Sequence, residues 1–160
     1  MKPRAFIKPI ACFGLTFFAA AAGSLSTAGG AVSQWYAHLN KPFFSPPDWL
    51  FGPVWTALYA LMAVSAWLVW KKGLDKSPVK IALALYLVQL VLNALWSPIF
   101  FGLQMPLLAL VEILLLWLAI AAATVAFAKV SMTAALLLIP YVLWTAFAVV
   151  LNASIWLLNR

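Results

Sequence analysis

Charge is scarce in this chain. Of its 160 residues only 8% are charged and 67% are hydrophobic, whereas a soluble domain carries about 25% charged residues. Acid is scarcer still, with three acidic side chains against ten basic ones. Cys12 is the single cysteine, so no intrachain disulfide can form. With one His and one Cys in total, the usual metal clusters are excluded too. No nucleophile–base pair, phosphate-binding loop or metal-ligand spacing is present, so no catalytic or metal-binding residue is expected. The polar complement is too small to coat a water-soluble fold of this size. The solvent for most of the chain is therefore lipid, and one domain is the natural count at this length.

What the sequence does have is long apolar runs. Five of them, at about 9–29, 53–70, 81–101, 107–128 and 134–158, approach or reach the length needed to cross a bilayer. They do not alternate apolar and polar residues as barrel strands would. Stretches such as Leu107 to Ala128 are rich in Leu and Ala, which favour helix. Backbone polar groups in lipid need partners within the segment, and a helix supplies them. The expected fold is all-α, an integral membrane bundle of five transmembrane helices forming one domain over 1–160. The short links at 71–80, 102–106 and 129–133 predict antiparallel neighbours packed side by side.

The positive charges sit mainly between the runs, so they read as topology signals and not as a nucleic-acid surface. One side holds Lys2, Arg4, Lys8, Lys71, Lys72, Lys76, Lys80 and Lys129; the other holds Lys41 and Arg160. The positive-inside rule then places the N-terminus in the cytoplasm of a multi-pass protein, with a bacterial cell membrane as the expected location. A competing reading is that Lys2, Arg4 and Lys8, the first apolar run and Ala19–Gly23 form a cleaved signal peptide. That would leave four helices.

The longest link, 30–52, is dense in aromatics and prolines: Trp35, Tyr36, Phe43, Phe44 and Trp49 stand among Pro42, Pro46 and Pro47. Proline stiffens such a segment, and aromatic rings favour the headgroup level. It reads either as an interfacial anchor or as a lid over a cavity between the helices.

Polar residues inside lipid usually face the bundle interior. Tyr86, Gln89, Asn93, Trp96 and Ser97 recur at spacings of three and four, which puts them on one helix face. Tyr141, Trp144, Thr145, Ala148 and Asn152 do the same, as do Trp55, Tyr59, Met62 and Ala66. Thr16, Ala19, Ala20, Gly23 and Thr27 form a small-residue face suited to close helix approach. These stripes are either helix–helix glue or the lining of a cavity for a large, flat, mostly apolar ligand with a polar edge. Glu112 is a proton-relay candidate or a quietly buried or snorkelling acid. His38 could ligate haem iron or simply lie at the interface.

Three blocks then carry a resemblance. The first comprises Trp35-Tyr36, Leu39-Asn40-Lys41-Pro42, Pro46-Pro47-x-Trp49 and Gly52-Pro53-x-Trp55-x-x-Leu58-Tyr59. The second is Gln89-x-x-x-Asn93-x-x-Trp96-x-Pro98-x-Phe100-Phe101-Gly102, and the third is Pro140-Tyr141-x-x-Trp144-x-x-Phe147-x-x-x-Leu151-Asn152. Together with nine tryptophans, they resemble the TspO/MBR family of tryptophan-rich sensory proteins and translocator proteins. The resemblance implies a five-helix bundle, commonly a homodimer, with a cavity opening toward the first long loop. It implies porphyrin or haem as ligand, without an obligatory cofactor. By position, Tyr36, Trp55, Asn93, Trp144 and Ala148 match family pocket residues. Tyr59, Trp96, Tyr141 and Asn152 join them as the expected ligand-binding set. Trp55 and Trp144 match tryptophans implicated in light-dependent porphyrin breakdown, so a porphyrin-degrading enzyme is one alternative to a sensor. A small proton-coupled transporter using Glu112 is another. Phe43 and Phe44 stand where many members carry tryptophan. The sterol-recognition pattern of animal members is not matched, because no basic residue follows Tyr141 within reach.

Overall fold

The computed structural model describes residues 7–25 and 30–160, with the side chains of 30–33 left aside. Thr27 and the first basic residues, Lys2 and Arg4, lie outside the described residues. The helices are α1 (Ile7–Ser24), α2 (Gly30–His38), α3 (Asp48–Trp70), α4 (Ser77–Ser97), α5 (Pro106–Ala128) and α6 (Met132–Leu158). A π turn, Pro98–Gly102, extends α4. Five of these elements, all but α2, are long and apolar enough to cross a membrane.

The helix boundaries differ from the sequence reading where proline is involved. α3 begins at Asp48, one turn and more ahead of Pro53. A proline just after a loop reads as a first helical residue. Here Pro46 and Pro47 end the loop instead, and Asp48 sits where the helix dipole favours an acid. α4 likewise starts at Ser77, with Pro78 in its first turn. The 30–52 link is not one long loop, because α2 occupies 30–38 and only 39–47 is non-helical. Pro98 does not stop its helix. It has no N–H to donate, and the chain continues in the wider turn, with Leu103 N–H donating to Pro98 O at 2.9 Å.

The five spans close into a ring. α1 packs on α3, α3 on α6, α6 on α5, α5 on α4, and α4 back on α1. α3 and α4, consecutive in sequence, touch only lightly. The short 71–76 link therefore does not make them side-by-side neighbours, contrary to the expectation from link length.

The ring is built inside out relative to a soluble protein. Leu114, Leu115, Leu118, Val125 and Leu143 point outward and are exposed. Thr16, Ser65, Gln89, Asn93, Thr145 and Asn152 are buried. Small groups bring the α1 wall close. Cys12, Thr16, Ala19 and Gly23 form its buried stripe, and a Cβ on Gly23 would lie 3.5 Å from Ala94 O. The Thr16 and Tyr86 hydroxyls meet at 2.6 Å across α1 and α4, and Ser65 Oγ donates to Ala134 O at 2.6 Å across α3 and α6. Each such interhelical bond contributes about 0.6 kcal/mol. At one end the ring is filled by Met62, Val69, Val79, Tyr86, Phe127 and Leu138. Lys8 donates to Trp70 O there at 3.5 Å, so α1 starts where α3 ends. The other end, beneath α2 and the 39–47 loop, is not filled.

Candidate functional site: an aromatic cavity under the first loop

A cavity of about 500 Å³ occupies that end, within the range of small-molecule sites. Every span contributes to its wall: Gly23 from α1, Trp55 and Tyr59 from α3, Asn93 and Trp96 from α4, Leu116 from α5, and Trp144, Ala148 and Asn152 from α6. Tyr36 of α2 and Asp48, Phe51 and Gly52 of α3 complete the rim.

The rings brace one another. Trp96 stacks on Phe100 at 5.0 Å. Phe100 meets Trp35 at 5.7 Å and Tyr36 at 6.3 Å, edge to face, so the π turn is the surface on which α2 sits. On the opposite wall Phe51 meets Trp144 at 5.9 Å, and Trp55 lies 5.5 Å from Tyr59. Such offset and edge contacts hold large apolar faces in fixed orientations.

The cavity floor is a hydrogen-bonded chain. Tyr59 OH donates to Asn93 Oδ1 at 2.7 Å. Asn93 Nδ2 donates to Tyr141 OH at 2.9 Å, and Tyr141 OH donates to Gln89 Oε1 at 3.0 Å. Nearer the mouth, Trp96 Nε1 donates to Asn152 Oδ1 at 3.1 Å, and Asn152 Nδ2 donates to Pro106 O at 2.8 Å. The amides of the lining are thus engaged with the protein itself. Among the described residues the Trp144 indole N–H and the Thr145 hydroxyl have no hydrogen-bond partner, and both atoms are buried within the wall and not exposed to the cavity. An arrangement of apolar ring faces, with the lining amides already bonded, suits a flat and largely apolar ligand.

Comparison with known proteins agrees with this architecture. The model of the TspO/MBR family matches residues 12–157. The chain belongs to the TspO/MBR family. It is 46% identical over 148 residues to the tryptophan-rich protein TspO of Chlorobaculum tepidum, covering 92% of this chain and 93% of that protein. It is 48% identical over 129 residues to the human translocator protein, covering 79% and 76%. It is 40% identical over 144 residues to the tryptophan-rich sensory protein of Cereibacter sphaeroides, covering 89% of each. TspO/MBR membership and five apolar spans make it an integral, multi-pass membrane protein.

Of the residues expected to bind ligand, Tyr36, Trp55, Tyr59, Asn93, Trp96, Trp144, Ala148 and Asn152 all line this one cavity. Tyr141 does not. It is fully buried beneath the floor and holds Asn93 from behind. His38 lies exposed at the end of α2, with Nδ1 2.7 Å from Gln34 O, and does not line the cavity. Glu112 is 7% exposed, with neither carboxylate oxygen hydrogen-bonded among the described residues. It faces the bundle interior but is not part of the wall.

Tyr36 turns into the cavity, while Phe43 and Trp49 are exposed as interface-seeking rings would be. The Tyr36 phenol is pushed above its ordinary pKa, first by burial and then by the negative charge of Asp48, so it is neutral at pH 7. Sequence reasoning missed Phe51 as a wall residue and treated Phe100 only as part of a motif. A helix begun at Asp48 would have placed Phe51 one turn before Trp55, on the same face.

Proposed function

We propose that this protein binds a flat, largely apolar tetrapyrrole of the porphyrin or haem class in the cavity, and acts as a membrane sensor or regulator. The observation that carries this reading is a chamber of about 500 Å³ walled by Trp55, Trp96, Trp144, Phe51 and Phe100. Within it, the polar amides are already satisfied by the protein. Indole and phenyl faces stack on a macrocycle without demanding a particular polar pattern. The family resemblance and the name of the Cereibacter sphaeroides relative, a sensory protein, support the same reading. The uneven distribution of Lys and Arg supports a cytoplasmic N-terminus in a bacterial cell membrane, with the cavity mouth on the opposite side.

The test is a porphyrin titration of the purified full chain in detergent, in the dark, followed by Soret absorbance and tryptophan quenching. Saturable binding is expected, and Trp144→Ala should weaken it at least several-fold. A titration curve that Trp144→Ala leaves unchanged would overturn the assignment of this cavity.

A further inference from the structure

Beside its stacking faces the mouth carries a charge pair, Lys41 and Asp48. Lys41 lies in the 39–47 loop. Its Nζ stands 3.7 Å from the centroid of the Tyr36 ring and 4.0 Å from Asp48 Oδ1. Tyr36 and Asp48 both line the cavity; Lys41 is not itself a lining residue, and its ammonium stands directly behind these two rim residues. The other cation assigned to this side, Arg160, lies over Trp156 in a separate groove.

The pair is unequal. The Lys41 side chain is 25% exposed and that of Asp48 is 74% exposed. At 4.0 Å the contact is coulombic and too long for a charge-assisted hydrogen bond. Exposed pairs of this kind contribute little, because each partner is well hydrated without the other. Asp48 therefore gives up little on letting go. The ammonium is different: the Tyr36 ring face holds it in place. Among the described residues no acceptor takes a hydrogen bond from its three N–H groups.

Resting on the tetrapyrrole reading above, we propose that Lys41 recognises a carboxylate on the edge of the ligand, exchanging Asp48 for it. The site then selects acid-bearing tetrapyrroles over their neutral esters. The macrocycle lies among the rings, and the acid edge stays at the mouth, where its charge remains hydrated. Asp48 sets the threshold, because its charge disfavours any anion that does not displace it from Lys41.

The experiment compares protoporphyrin with its dimethyl ester, titrated in the dark against the full chain in uncharged nanodiscs. The quantity read is the ratio of the two Kd values. Wild type should prefer the diacid. Lys41→Gln should lower that preference about fivefold, the size expected for a half-exposed ion pair. Lys41→Arg should retain the preference, and Asp48→Asn should raise it. If both ligands bind and Lys41→Gln leaves the ratio unchanged, the carboxylate proposal is wrong and the tetrapyrrole reading stands. If Lys41→Gln weakens both ligands equally, the residue shapes the loop and recognises no acid, which also overturns the proposal. If neither ligand binds to wild type, the tetrapyrrole reading falls and takes this one with it.

Discussion

Asn93 is the residue whose replacement is most informative. Its carboxamide accepts from Tyr59 and donates to Tyr141, joining α3, α4 and α6 at the cavity floor. In Asn93→Ala two interhelical hydrogen bonds are lost, at about 0.6 kcal/mol each. Tyr141 keeps Gln89 as its acceptor. The Tyr59 hydroxyl is left without one in a largely apolar wall, which costs roughly 1 kcal/mol more. The expected destabilisation is about 2 kcal/mol, with Tyr59→Phe costing under about 1 kcal/mol. Because the two side chains share a bond, and Tyr59→Phe also removes the hydroxyl that Asn93→Ala strands, the double variant should fall short of additivity by about 1.6 kcal/mol. The assay is reversible unfolding in mixed micelles of rising SDS fraction, followed by helical circular dichroism. An Asn93→Ala protein within about 0.5 kcal/mol of wild type, or strict additivity with Tyr59→Phe, would refute the reasoning. Retained stability with lost porphyrin binding would show that the amide serves the ligand and not the helices.

Three further expectations use the same structure. Asn159 accepts from Asn40 N–H and donates to Asn40 O, both at 2.9 Å. Asn159→Ala should therefore speed amide hydrogen exchange in the 39–47 loop, and an unchanged rate would show that the loop is held elsewhere. The buried Glu112 oxygens have no hydrogen-bond partner among the described residues, so Glu112→Leu should stabilise the fold by on the order of 1 kcal/mol. A destabilised Glu112→Leu would reveal a bonded carboxyl group. The Thr145 hydroxyl is likewise buried and unengaged; Thr145→Val should unfold within about 1 kcal/mol of wild type, on its stable side, and a clear loss would contradict that.

Much of the fold was legible because lipid makes a simple demand, about 20 apolar residues per crossing. That demand is visible in composition and needs no knowledge of packing. It does not reveal α2, Gly30–His38, which is too short to span and reads as aromatic loop. Nor does it reveal which helices adjoin. A short link bounds how far apart two helix ends lie, yet α4 finds its partners in α1 and α5.

The site was legible as far as periodicity carries. Spacings of three and four put Asn93 with Trp96, Trp55 with Tyr59, and Trp144 with Asn152 on shared faces. A face gives direction but not depth. Tyr141 shares its stripe with Trp144 yet lies below the floor, because what closes the chamber there is a bond between helices. Phe100 escaped because a π turn adds a residue and shifts the register after Pro98.

The ring of helices has a consequence for biogenesis. The wall between α3 and α4 is supplied by α1, the first of the five to be synthesised, and its hydroxyl contact from Thr16 waits for Tyr86, 70 residues later. Until α4 is inserted, the first helix has only half of its partners, and until α6 packs on α3 the ring stays open to acyl chains. Closing the circle is thus a late, long-range event. A nascent chain halted before α4 holds Trp55 and Tyr59 already in the bilayer, but as lipid-exposed rings with no chamber around them.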